Sequence, residues 1–262
     1  LSAIFTLWQR ELQRFFRQPS RVAGAIGSPL LFWVLIGAGM SSSFRMPGGP
    51  ATGEGVSFLR YFYPGTVALV LMFAAIFSTI SVIEDRKEGF LQGVLVAPVP
   101  RSAVAAGKVL GGATLAWLQG AIFVPLAPFA GIHIDPLSAL VALGVMALLS
   151  VALTSIGFAF AWRVDSTQGF HAVMNLVLIP MWLLSGAFFP AAGGPVWLAW
   201  LMRVNPLSYG VAALRHAFDP GAAPQASAGL LPGMAGSVAI LALTALGAFL
   251  LVLAAIRRRR TS

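Results

Sequence analysis

No cysteine occurs anywhere in this 262-residue chain. Disulfides and thiolate metal sites are therefore excluded, and cysteine usage leaves the redox compartment open. Acids are scarce too: eight Asp and Glu stand against 17 Lys and Arg, and charged residues make up 10% of the total. The histidines His133, His171 and His216 fall in different loops, so no metal-holding cluster is expected and each reads as an ordinary interfacial or loop residue. A phosphate-cradling loop, G-x-x-x-x-G-K-S/T, is also missing. Its nearest approach, Gly107-Lys108-Val109, lacks the glycine spacing and the magnesium-binding hydroxyl. Neither a fixed-period repeat nor a polar segment as long as a soluble domain is found.

What the chain has instead is apolar length. Hydrophobic residues make up 58%, in continuous rather than alternating runs, which argues for membrane helices and against an outer-membrane barrel. About 20 apolar residues cross a bilayer, and six runs meet that criterion, at 22–40, 64–83, 109–130, 137–162, 172–189 and 236–256. The expected fold is all-α and polytopic: one transmembrane domain over 1–262 with six spans.

The net charge of +9 would suit nucleic acid, but its placement points to a membrane. Arg10, Arg14, Arg17, Arg21, Arg86, Lys87, Arg101, Lys108, Arg163 and Arg257 to Arg260 fall on one side of the six-span layout, 13 of the 17, and only Arg45, Arg60, Arg203 and Arg215 on the other. By the positive-inside rule both termini are cytoplasmic. The terminal arginines read as a stop and an anionic-lipid anchor, not a nucleic-acid tail. The first apolar run follows four arginines and lacks a small-residue cleavage pattern, so no cleavable leader is expected there.

Residues 1–21 are too polar to span but periodic. At about 100° per residue, Ile4, Trp8, Leu12 and Phe15 share one face and Arg10, Arg14, Arg17 and Arg21 the other. An interfacial helix is expected, its aromatics buried and its arginines toward lipid phosphates or a partner; periodicity does not separate anchor from partner contact. Pro19 ends it. Outside, 41–63 is a Gly/Pro-rich loop, and 190–235 is a re-entrant-like external loop with an apolar, two-tryptophan stretch at 196–202, a short helix near 209–218 and a solvated tether at 220–232.

Between the second and third runs stand five consecutive charges, Glu84, Asp85, Arg86, Lys87 and Glu88. At the bilayer centre each would cost roughly 2.5 to 3.5 kcal/mol, so the cluster is expected in water. After Gly89, the residues Phe90, Leu91, Val94 and Leu95 recur at helical spacing until Pro98 and Pro100, which predicts a short amphipathic helix. Topology signalling and snorkelling account for Arg101 and Lys108 but less well for three acids mixed with two bases, because acids contribute little to orientation.

The stretch from Glu84 to Gly89, then Ala97-Pro98-Val99-Pro100-Arg101 and Gly107-Lys108, resembles the segment between the second and third spans of type-2 ABC exporter permeases, the group of drug, lipo-oligosaccharide and polysaccharide exporters. Leu184-Ser185-Gly186-Ala187-Phe188-Phe189-Pro190, and Asn205-Pro206-Leu207-Ser208-Tyr209 with Leu214-Arg215, support the resemblance in order and spacing. It implies an inner-membrane half-transporter that forms a homodimer, binds two ATP-binding-cassette subunits and leaves ATP and magnesium to them, with no cofactor or catalytic residue of its own. It also implies that 84–101 is the cytoplasmic coupling segment, seated in the ATPase, and that the N-terminal helix touches the same subunit. Gln92 stands where the family often has an acid, so one ionic contact is not carried over.

Within the spans, Gln119 and Asn175 would be costly against lipid and are expected to face other helices or a cavity, as packing amides or as substrate contacts. Pro180 is either a hinge in the fifth span or a tolerated kink. Gly107 and Gly111 permit close packing. An ion-coupled carrier or channel is the competing function, disfavoured because all eight acids fall in loops or interfacial segments. A third reading, an intramembrane hydrolase or transferase using a serine such as Ser185, lacks an identifiable base.

Overall fold

The computed structural model describes residues 2–17, 19–40, 58–96, 99–188, 195–220 and 230–258. Residues 41–57 of the expected outer loop, with Arg45, then Ala97 and Pro98, Phe189 and Pro190, most of the expected tether at 220–232, and Arg259 and Arg260 lie outside the described residues, as do the side chains of Arg21, Gln92 and Leu95. Among the described residues the fold is helical throughout, without a strand.

Helix α1 (Ser2–Phe16) is followed by α2 (Pro19–Met40), which begins on the proline that ends the amphipathic pattern. Proline at the first helical position costs nothing, since its missing N–H would have no partner there. Helices α3 (Phe58–Ser78) and α4 (Ile80–Lys87) form one rod, interrupted only at Thr79, whose backbone N–H and hydroxyl both donate to Ile76 O. The rod starts six residues before the expected 64 because Phe58 and Phe62 stack on each other, with centroids 5.2 Å apart, and pack against Phe188.

Helix α5 (Phe90–Val96) turns back to α6 (Arg101–Ala121), which runs into a 3-10 segment at Val124–Ala130. Then come α7 (Pro136–Ala161), capped by Asp135, and α8 (Thr167–Leu183), capped by Ser166. Helices α9 (Val196–Val204), α10 (Pro206–Phe218) and α11 (Met234–Arg258) complete the chain. Four stretches of the described residues are long and apolar enough to cross a membrane: Phe58–Lys87, Arg101–Ala130, Pro136–Ala161 and Met234–Arg257. Apolar run length is what foretold them, since in hydrocarbon a helix satisfies every backbone group internally.

The core lies where α3, α6 and α7 meet, and α10 packs among α3, α7 and α11. Leu207, Val211, Leu214 and Phe218 are buried in that last contact, so the short helix expected near 209–218 within a re-entrant-like loop is embedded in the bundle. Its start is pinned by Asn205, whose side chain accepts from Leu207 N at 3.0 Å and donates to Met181 O of α8 at 2.6 Å.

Candidate functional site: a charged junction at one end of the bundle

At the end of the bundle where α4 finishes and α6 begins, the five charges take different environments. Asp85 is 0% exposed, whereas Lys87 and Glu88 are exposed. The expectation that the whole cluster lies in water is therefore corrected. A buried carboxylate is tolerable only when matched by cations and hydrogen bonds, and α1 and α6 provide them. Arg10 binds Asp85 in bidentate fashion, at 2.7 and 2.8 Å. Arg14 donates to Asp85 Oδ1 at 3.1 Å, and its other terminal nitrogen lies 2.9 Å from Glu84 and 3.7 Å from Glu88. The hydrogen bond and charge of Asp85 hold the Arg10 guanidinium above its ordinary pKa. From α6, Lys108 Nζ donates to Asp85, to Glu11 Oε1 at 2.6 Å and to Ser81 Oγ at 3.4 Å.

Two sequence expectations change here. Lys108 is buried and ion-paired, not a snorkelling anchor. Arg10 and Arg14 point inward onto the chain's own acids, while Leu7 and Glu11 are the buried residues of α1, Trp8 is half-buried, and Phe5 and Phe16 are exposed. Arg17, one turn further, is exposed. Trp8 Nε1 donates to Thr114 Oγ1 at 3.0 Å, which fixes the helix along α6. That approach needs glycine on α6: a Cβ at Gly107 would sit 2.7 Å from Leu7 Cβ, and one at Gly111 2.7 Å from Glu11 Cβ. The Gly-x-x-x-Gly spacing thus seats α1, and Glu11, with no conspicuous pattern of its own, is the site residue that sequence reasoning missed.

The turn from α4 to α5 requires Gly89, whose φ of +75° is a left-handed conformation that side chains resist. Beyond it Leu91 is buried, Phe90 and Val94 are half-buried against the core, and Leu95 lies in the last turn of α5. The Arg10 guanidinium lies 3.9 Å over the Phe90 ring, so one arginine ties α1 to both α4 and α5. Arg86 reaches the other way and donates to Trp162 O at 2.9 Å and to Val164 O. Arg101 donates to Ile256 O in the last turns of α11 at 2.9 Å.

The span residues singled out from sequence are dispersed. Gln119 is buried and donates to Leu115 O one turn back at 3.1 Å. Asn175 and Pro180 lie on the exposed face of α8, opposite the buried row Phe170, Met174, Leu178 and Trp182. At the far end of the bundle, Arg60 pairs with Asp219 at 2.6 Å, and the Gly186 carbonyl accepts from Tyr61 at 2.9 Å and from Arg215 at 3.1 Å. No group of three or more potential metal ligands occurs among the described residues.

Comparison with known proteins matches residues 2–218 to the family model "ABC-2 type transporter". Similar relatives include a "Putative transport permease ycf38" of Cyanophora paradoxa, 26% identical over 84% of this chain and 75% of that one. "Nodulation protein J" of Rhizobium leguminosarum bv. trifolii is 31% identical over 73% of this chain and 71% of its own length. The "Inner membrane transport permease YadH" of Escherichia coli (strain K12) is 23% identical over 82% of each chain.

Proposed function

We infer the function of this chain from its membership: it belongs to the ABC-2 type transporter family. It is a multi-pass membrane transport permease, and the family implies an ABC ATPase as partner. Our reading beyond that is a permease subunit of an ATP-driven exporter, with six spans made by adding α2 and α8 to the four long apolar stretches, both termini cytoplasmic, in the inner membrane. Two copies of the chain pair with two copies of a separate ATPase, which holds the ATP and magnesium. The substrate class is amphiphilic: a drug-like, lipid-linked or glycan molecule.

The observation that carries this reading is the construction of the α4–α5 turn. Lys87, Glu88 and Gly93 are exposed, and a Cβ at Gly93 meets nothing within 4 Å. Directly behind them, Asp85 is held by residues of α1 and α6. An exposed turn on a buried, ion-paired base is suited to receive force from a soluble partner. A turn made only to mark topology needs no buried ion network. The exposed residues of the 84–95 segment supply the ATPase contact, with Asp85 and Leu91 buried behind them; Arg10 and Arg14 brace it, and Gln119, Asn175 and Pro180 are the pathway or hinge candidates.

Co-expressed cassette ATPase is expected to co-purify with this chain, and reversing the charge at Glu84 is expected to reduce ATP-coupled transport without preventing insertion. An ion-coupled carrier is the second reading, and the burial of Asp85 and Glu11 is the observation that bears on it. Both carboxylates, however, are paired with Lys108, and Asp85 with two arginines as well. Transport by the purified chain alone, driven by an imposed proton gradient, would establish the carrier and remove the exporter.

A further inference from the structure

Asp85 and Arg86 are neighbours in sequence but grip different parts of the bundle. Asp85 holds α1 and α6. Arg86 holds the turn between α7 and α8: Nη1 donates to Trp162 O at 2.9 Å, and Nη2 donates to Val164 O and lies 3.5 Å from Asp165 Oδ1. Trp162 is the C-cap of α7, where the last carbonyls lack helical partners and the helix dipole favours a cation. Two residues past Val164, Ser166 opens α8 by accepting from Gly169 N at 3.0 Å. A planar, two-pronged donor therefore sits on a short connection between two helices, with its side chain only 14% exposed. Asp165, by contrast, is 87% exposed, and an ion pair that open to water contributes little. The carbonyl fork is what fixes the geometry.

Helix α8 is the element with the most to gain from such a link. One face is buried in the chain, and the other exposes His171, Asn175, Leu176, Ile179 and Pro180. We propose that Arg86 is a positioning residue that transmits displacement of the α4–α5 turn to α8 through the carbonyls of Trp162 and Val164. The proposal rests on the reading that an ATPase docks on that turn. Lysine cannot replace this arginine in full, because a point ammonium does not span two carbonyls as a guanidinium does.

The absence of native cysteine makes the test direct in membranes containing the chain and its cassette ATPase. Gly93→Cys on the exposed turn reports docking as protection from a maleimide, and Leu176→Cys reports the response of α8 to nucleotide trapping. With Arg86 intact, we expect protection at the first position and a roughly tenfold change in labelling rate at the second, within the usual range of coupling between sites. Arg86→Ala should keep the protection and lose the response, Arg86→Lys should retain a fraction of it, and Asp165→Ala should leave both unchanged. A full nucleotide response at Leu176→Cys in the Arg86→Ala chain overturns the proposal. If that chain fails to accumulate, an undiminished response in Arg86→Lys does the same, and loss of the response in Asp165→Ala refutes the carbonyl route. Absence of ATPase protection at Gly93→Cys with Arg86 intact removes the docking reading itself, and this proposal with it.

Discussion

Lys108 and Glu11, 97 positions apart, meet at 2.6 Å in an ion pair whose side chains are 2% and 5% exposed. Neither charge would be stable alone at that depth. Removing one partner of a buried pair costs about 3 to 5 kcal/mol because the other is left uncompensated, whereas replacing both with apolar groups is often neutral. Lys108 faces two acids, Glu11 and Asp85, so its loss is the more damaging. Lys108→Met is therefore expected to lower the apparent melting temperature of the detergent-solubilised protein more than Glu11→Leu does. A double variant, Lys108→Met with Glu11→Leu, should recover part of the loss. Equal and additive effects of the two single changes would show that the pair carries no coupling.

Helix α1 is held by close packing as much as by charge. A Cβ at Gly107 would lie 2.7 Å from Leu7 Cβ and 3.1 Å from the Ile4 carbonyl, both near the α1 backbone and unable to swing aside. Gly107→Val is expected to lever α1 off α6, at a cost of about 1 to 3 kcal/mol. Proteolysis near the N-terminus and maleimide labelling of Leu7→Cys should both accelerate several-fold. Gly111→Ala meets the same kind of obstacle, Glu11 Cβ at 2.7 Å, and is expected to act in the same direction, although the nearest α1 carbonyl, that of Trp8, is further off at 3.7 Å. Labelling of Leu7→Cys that is unaltered by Gly107→Val would rule out this seat for the helix.

Four of the six expected spans and the short helix after Gly89 were legible in the sequence because continuous apolar length and helical spacing are local properties. Partnership is not local. Nothing around Asp85 distinguishes it from Glu88, yet one is fully buried and the other exposed, since only Asp85 meets Arg10 and Lys108 from other helices. The amphipathic pattern of α1 identified a helix with two faces but assigned its arginines to phosphates or a partner, when Arg10 and Arg14 turn onto Asp85, Glu84 and Glu88. The embedding of α10 was hidden for a related reason: its small residues, Gly210, Ala212, Ala213 and Ala217, look unremarkable in sequence but let it fit among α3, α7 and α11.

Arg10 contacts Asp85 and the Phe90 ring together, which makes its role separable from simple charge. Arg10→Lys keeps the charge but loses the bidentate geometry and much of the stacking. Its expected effect is a fall in transport at near-normal membrane abundance, with Arg10→Ala reducing both. Transport by Arg10→Lys equal to that of the unaltered chain would reduce Arg10 to a neutralising charge.

At the opposite end of the bundle, Asn205 joins α8 to α10 through a cap and a cross-helix bond. Its Oδ1 accepts from Leu207 N at 3.0 Å, and its Nδ2 donates to Met181 O at 2.6 Å. Asn205→Asp retains the acceptor that caps α10 and loses the donor to α8; Asn205→Ala loses both. The cap alone is worth roughly 0.5 to 2 kcal/mol, and a lost hydrogen bond that leaves a carbonyl unpaired about 1 to 3 kcal/mol. If tethering α8 matters more than starting α10, Asn205→Asp should resemble Asn205→Ala in thermal stability and in the accessibility of a cysteine placed at Ile179. If capping dominates, Asn205→Asp should match the unaltered chain. We expect the first outcome, because the cap stands beside Pro206, which already sets the helical φ at the first turn, while nothing else among the hydrogen bonds of the described residues ties the last turn of α8 to α10.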